Sequence, residues 1–360
     1  NLKLEVDDEA VVNQTVTALN AGAISGFLDV SVGRLPLGVH TIEMTLDDGN
    51  VIAENSETNN TRSRSLTVAA ADTSGAIPLT IPTADILAAT SSTWGSTLAT
   101  LATAFTHNIY SFSVATRAGI FFDVDAIDTG LTTTLDPILT LLNSAGEILI
   151  SNDDGWDFEG FDAPSTSAGS ATAAGFLDPA LYLDLDIGTY FVAISGVNGT
   201  VGDYELRTLA DTTYSATPPI FESLPGAGNS LYLDLDGHAS STDCWAVCNF
   251  FGSGINGPYV VSPFDLNGNG AEFSPGERLA IANLWRTTAE DYSPFDINIT
   301  TVEPASLADG VGLRMVVTDS DGTSVGSAGA LGVALLNSYA TTSGADNNVA
   351  FTFAGNYSTY

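Results

Sequence analysis

The runs Leu231-Tyr232-Leu233-Asp234-Leu235-Asp236-Gly237-His238 and Phe295-Asp296-Ile297-Asn298-Ile299-Thr300-Thr301 both read as strands, and what lies between them decides the fold. Leu279, Ala282, Trp285, Ala289 and Tyr292 recur three or four residues apart, which places them on one face of a helix. Ser274-Pro275-Gly276-Glu277 marks its start: Ser274 is the expected N-cap, Pro275 suits the first helical position, and Glu277 reaches back to complete a capping box. Pro294 stops the helix. A strand, a long capped helix and a second strand open an α/β layer, and nothing upstream carries that pattern. Arg314-Met315-Val316-Val317, Gly332-Val333-Ala334-Leu335-Leu336 and Asn348-Val349-Ala350-Phe351-Thr352-Phe353 read as three further strands.

Residues 231–238, Trp285, Ala289-Glu290-Asp291, Pro294-Phe295-Asp296 and Ile299-Thr300-Thr301 resemble the N-terminal half of a metzincin-like zinc metallopeptidase domain of secreted bacterial proteins. The resemblance implies a second helix carrying H-E-x-x-H, where two histidines one turn apart grip zinc and the glutamate activates water. The histidines here are His40, His107 and His238, too far apart for that motif, and the chain ends at Tyr360. The expectation is therefore a hydrolytic scaffold cut short of its zinc helix, with Zn2+ belonging to a longer protein and this chain inactive alone.

Lys and Arg total 9 against 43 Asp and Glu, a formal charge of −34. Such a surface repels nucleic acid and anionic membranes and favours divalent cations or plain solvation. No apolar run approaches the 18 or so residues of a membrane span. With 360 residues, two or three domains are expected. Cys244 and Cys248 are too few for a disulfide scaffold; one local disulfide is preferred over two thiols or a metal pair. The start at Asn1, without a signal peptide, reads as a mature or trimmed segment.

Residues 1–69 read as a small immunoglobulin-like β-sandwich. Phe27, Asp29 and Ser31 alternate against Leu28, Val30 and Val32, and Thr41, Glu43 and Thr45 against Ile42, Met44 and Leu46. Residues 51–61 and Ser65-Leu66-Thr67-Val68 resemble the end of a CARDB domain, an adhesion or spacer module whose usual first strands are missing here. That implies truncation or a strand supplied by another chain; His40 reads as a strand residue. Residues 70–104, rich in Ala, Thr and Ser, read as a linker with a short helix near 83–89 and Trp94 as an anchor on the next domain. Residues 105–210 read as a second, jelly-roll-like β-sandwich. Tyr110-Ser111-Phe112, Asp136-Pro137-Ile138-Leu139, Asn143-Ser144-Ala145-Gly146, Asn152-Asp153-Asp154, Gly188-Thr189-Tyr190 and Gly202-Asp203-Tyr204 resemble the bacterial pre-peptidase C-terminal domain, a non-catalytic companion of secreted peptidases. Residues 211–360 complete the chain as the partial α/β domain with its one long helix.

Two loops are candidate calcium sites, because crowded carboxylates repel unless a cation with many oxygen ligands joins them. The first is the run holding Asp153, Asp154, Asp157 and Asp162. The second, Asp265-Leu266-Asn267-Gly268-Asn269-Gly270, has an EF-hand's one-three-five oxygens (Asp265, Asn267, Asn269) and sixth-position glycine, but Gly276 stands where the closing glutamate belongs. An Asx-rich turn into the helix is the stronger reading there, and a solvated turn remains open for the first. Asp319-Ser320-Asp321-Gly322 reads as a hairpin turn. His238, following Asp234 and Asp236, is read as structural, and no nucleophile elbow or phosphate-binding loop is present.

The sequence thus supports a mainly β chain and two functions. One is the front of an exported zinc metallopeptidase acting on protein or peptide substrates. The other is an extracellular or cell-surface adhesive or fibre-forming protein that assembles with copies of itself or with other surface proteins.

Overall fold

The computed structural model describes residues 2–14, 35–47, 58–127, 135–153, 178–240, 258–270, 272–308, 310–334 and 348–359, with a few single positions between them. The chain divides into two compact units, residues 1–75 with 142–149, and residues 76–141 with 150–360.

In the first unit four antiparallel strands, β1 (Leu2–Val6), β2 (Glu9–Gln14), β3 (Gly38–Leu46) and β4 (Thr61–Val68), form a sheet in the order β2-β1-β3-β4. The expected alternation at residues 27–32 lies largely outside the described residues. On β3 the alternation does not become burial: Met44 and Leu46 are 40% and 49% exposed. Asp47 closes the β3 turn in the left-handed region (φ 48°), its carboxylate accepting from the amides of Val51 and Ile52 at 3.0 and 2.8 Å.

The second unit begins with a β-sandwich. One sheet runs β10 (Ile148–Asn152), β9 (Pro137–Leu142), β12 (Gly188–Gly196), β7 (His107–Val114) and β5 (Ile77–Pro78). The other runs β11 (Ala180–Leu185), β8 (Ala118–Ile127), β13 (Gly202–Asp211) and β6 (Gly95–Leu101). Phe112, Phe122, Val124, Leu139, Leu141, Val192 and Leu206 fill the space between them. Here the expectation of a linker over residues 70–104 needs correcting. Residues 95–101 pair along β13 from Thr208 to Gly202, and β5 pairs with β7. Their small, hydroxylated residues imitate a linker because each strand lies at a sheet edge and buries one face at most. The short helix is a 3-10 turn at Ile86–Ala88, capped by Asp85, and Trp94 is buried against Phe121 as an anchor should be.

The α/β part carries a five-stranded sheet in the order β17 (Ile297–Thr300), β14 (Asn229–Asp234), β18 (Gly312–Thr318), β20 (Val349–Phe353) and β19 (Gly332–Val333). β14, β17, β18 and β20 run parallel to one another, and β19 alone is antiparallel, pairing with β20. A two-stranded ribbon, β15 (His238–Ser240) and β16 (Tyr259–Val261), follows β14. Residues 319–322 do not make the expected hairpin turn: β18 pairs with β20, and a 3-10 turn at Thr323–Val325 intervenes.

Helix α1 (Pro275–Asp291) starts as the sequence dictates. The Ser274 hydroxyl accepts from the Glu277 amide, and the Glu277 carboxylate accepts from the Ser274 amide at 2.8 Å. Its apolar residues do not share one partner. Ile281 and Trp285 pack on the parallel sheet, the Trp285 indole donating to the Ile299 carbonyl at 2.9 Å and stacking on Phe221. Leu279 packs instead against Ile86, Trp94, Phe121 and Leu209 on the outer face of the sandwich. Tyr292, read as the end of the helical face, is the C-cap and 40% exposed. Arg278 reinforces this second contact, donating to both Asp85 oxygens at 3.0 Å and to Asp211 at 3.4 Å. Gly276 makes the approach feasible, since a Cβ there would lie 2.2 Å from the Tyr182 ring.

Candidate functional site

β14 ends in a charge network. Open α/β sheets present their ligand-facing groups beyond the carboxyl ends of parallel strands, and here that edge carries Asp234, Asp236 and His238. Asp234 is fully buried and ion-paired with Arg314, which rises from β18 and also pairs with Glu303. The Arg314 guanidinium lies 5.1 Å from the centre of the Tyr232 ring. His238 Nδ1 stands 3.7 Å from Asp234 Oδ2, and its ring leans on Tyr259. Gly237, at φ 88°, makes the turn that brings His238 back, with the backbone of Pro263 and Val261 about 3.0 Å from where a Cβ would stand.

Burial and a hydrogen bond with Asp236 push the Asp234 carboxyl up to about 7, against the lowering effect of Arg314. A group that titrates near neutrality is the kind used for proton handling. Asp234 is nevertheless covered completely, so its chemistry is that of an anchored charge network and not of an exposed general acid. His238 stands beside Asp234 at the edge of that network. Asp236, expected on the same strand face as Asp234, lies past the strand end and is exposed.

The second calcium candidate is built as a set of Asx turns. Asp265 Oδ1 accepts from the amides of Gly268 and Asn269 at 2.7 and 3.2 Å, and Oδ2 accepts from Gly270 at 2.8 Å. Asn267 Oδ1 accepts from the Asn269 amide at 3.1 Å, while its Nδ2 donates to Asp184 at 2.9 Å. Glu277 accepts from the Leu266 amide at 2.7 Å as well as from Ser274, so the loop is tied to the helix cap. The loop also meets the sandwich through Asp184, which accepts from the hydroxyls of Tyr182 and Tyr214 at 2.7 and 2.9 Å.

Of the first calcium candidate, Asp153 is described and exposed. Asp154, Asp157 and Asp162 lie outside the described residues, as do Cys244 and Cys248. The histidines give no zinc site. His40 is held between Asp7 Oδ2 at 2.6 Å and the Pro36 carbonyl at 2.7 Å, His107 is exposed at the start of β7, and His238 belongs to Asp234. Among the described residues no three His, Cys, Asp or Glu side chains converge to hold a metal. These residues do not fit the zinc that the resemblance implies. Arg314 and Glu303 are the members of the network that the sequence reading passed over. The available signal was an arginine inside an apolar strand, in a chain with only 9 basic residues.

Among the described residues no helix is long and apolar enough to cross a membrane. The sequence matches no family model and no curated protein. Part of the chain is similar to two solved structures. One is the pre-peptidase C-terminal domain of a collagenase from Bacillus anthracis, at 12% identity over 37% of this chain and 93% of that one, with a TM-score of 0.24. The other is a periplasmic inhibitor of g-type lysozyme from Aeromonas hydrophila, at 10% identity over 38% of this chain and 95% of that one, with a TM-score of 0.23.

Proposed function

We propose that the chain is the front portion of an exported, modular zinc metallopeptidase, in which residues 211–360 are the opening half of the hydrolytic domain and the β modules are spacers. One observation carries the reading: β14 and β17 lie side by side and parallel, joined through the capped helix α1, and three further strands follow in the expected order. The antiparallel edge strand β19 is the element we assign to substrate, since an edge strand offers backbone groups along which a peptide can lie. The protein acts outside the cell or at its surface, on protein or peptide substrates. Calcium is proposed at Asp153, Asp154, Asp157 and Asp162, and at Asp265, Asn267 and Asn269 only if the ion displaces the amide hydrogen bonds that Asp265 and Asn267 now accept.

The test is casein digestion by the 360-residue chain and by a version extended with the residues its gene encodes after Tyr360, each with and without a zinc chelator. Chelator-sensitive cleavage is expected from the extended protein alone. Cleavage by the 360 residues, or a gene with no H-E-x-x-H downstream, overturns the reading and leaves the adhesive or fibre-forming alternative. For calcium, chelation should lower the melting temperature, and an unchanged melt removes both sites.

A further inference from the structure

The sandwich has an opening that the peptidase reading does not use. β5 covers only two residues of β7, with Ile77 opposite Tyr110 and Pro78 opposite Ser111. After the Leu79 amide donates to the Ser111 carbonyl at 2.8 Å, the chain swings away. It crosses to the other sheet, where the Ala210 amide donates to the Pro82 carbonyl and the Ala84 amide donates to the Ala210 carbonyl, both at 2.9 Å. Among the described residues no strand pairs with β7 beyond Ser111 on that side. The strap at residues 79–83 is thus pinned at both ends and stands off the sheet edge.

Between strap and edge lies a cleft of about 480 Å³. Its floor is the sandwich core itself, Phe112, Val114 and Ile120, and its rim carries the hydroxyls of Thr80, Ser113 and Thr116. Among the described residues no Asp, Glu, Lys or Arg lines it, in a chain that carries 43 acidic residues. A charged guest would lose hydration there without a partner. An uncharged extended peptide would lose little, because the unpaired edge of β7 offers backbone partners and the floor takes every second side chain.

We propose that this cleft binds an extended peptide segment by strand addition to β7, with a neutral core of Thr and Val type and basic residues at its ends. The core follows from the lining. The basic ends follow from the net charge of −34, which draws cationic flanks toward the protein while the cleft itself excludes charge. The site is separate from β19 and does not depend on hydrolysis.

The probe is a fluorescein-labelled Lys-Lys-Thr-Val-Thr-Val-Thr-Lys-Lys peptide, titrated with the full chain and followed by anisotropy. Saturable binding is expected, weakening with salt as the flanks are screened. Replacing the central Val residues with Asp should weaken it by about tenfold or more. Ala115→Trp and Thr80→Trp obstruct the cleft from opposite walls at exposed positions, and each should abolish binding with an unchanged melting curve. Requiring either variant to retain its melt keeps the test independent of folding. No saturation up to about 1 mM peptide overturns the proposal. So does equal binding by both obstructed variants, or uptake of a fluorescent fatty acid in place of the peptide.

Discussion

Asp234 concentrates the chemistry of single residues in this protein. Its carboxyl rises from 3.8 to about 7 in the folded state, so the folded chain keeps a proton that the unfolded chain has released. Stability from this group is greatest below the unfolded value, falls as pH climbs through that window, and is flat above it. At about 1.4 kcal/mol per unit the span is on the order of 4 kcal/mol. Asp234→Asn removes the titration. Urea unfolding across the window should therefore show the wild type losing stability relative to the variant as pH rises, and parallel curves would contradict it. His40 has the same sense as Asp234, and its partner Asp7 the opposite one. Hydrogen bonding to Asp7 raises the His40 titration, and the same bond to His40 lowers that of Asp7. The pair supports the first unit above the range where Asp7 protonates and is lost as pH rises through the raised His40 value. His40→Gln should flatten that upper limb in a pH series of melts. Asp234 and His238 were visible in the sequence because they sit on one short run. Arg314, Glu303 and Asp7 were not, since ion pairs across 80, 11 and 33 residues leave no local pattern.

Helix α1 shows how an element can be legible at its ends and ambiguous along its length. Its N-terminus is fixed by local hydrogen bonds between residues three apart, so Ser274, Pro275 and Glu277 announce it without help from the rest of the molecule. Ser274→Ala should cost about 1 kcal/mol in urea unfolding. Gly276→Ala should cost more, about 1–3 kcal/mol, because the new methyl must enter the space of the half-buried Tyr182 ring. The reverse ranking would mean that the helix start can move off the sandwich. The single apolar face expected from spacing splits between two contacts: Trp285 joins Ile281, a residue outside that face, toward the parallel sheet, and Leu279 turns toward the sandwich. Periodicity reports that a residue is buried, never against which partner. Strand β8 carries the same lesson: both its faces are covered, so Asp123 and Asp125 are buried beside Phe122 and Val124.

On the scale of the whole molecule, calorimetry should resolve two transitions, one for each compact unit. Arg278→Ala would leave Asp211, which is fully buried, without that guanidinium, and losses of this type run about 3–5 kcal/mol. The variant should shift only the transition of the unit formed by 76–141 and 150–360. A shift in both, or a single transition in the wild type, would contradict that division.

Local order was determined by sequence alone: the capped helix, the strands around it, the β character of the first two thirds and the acidic surface all follow from spacing, caps and composition. Tertiary structure alone decided which edges were completed. Residues 95–101 became a strand because β13 was there to pair with them, and the helix became a joint because Gly119 and Gly276 leave room around Tyr182. Pairing and burial between distant segments depend on shape and on what stands opposite, and neither is written in the residues of one segment.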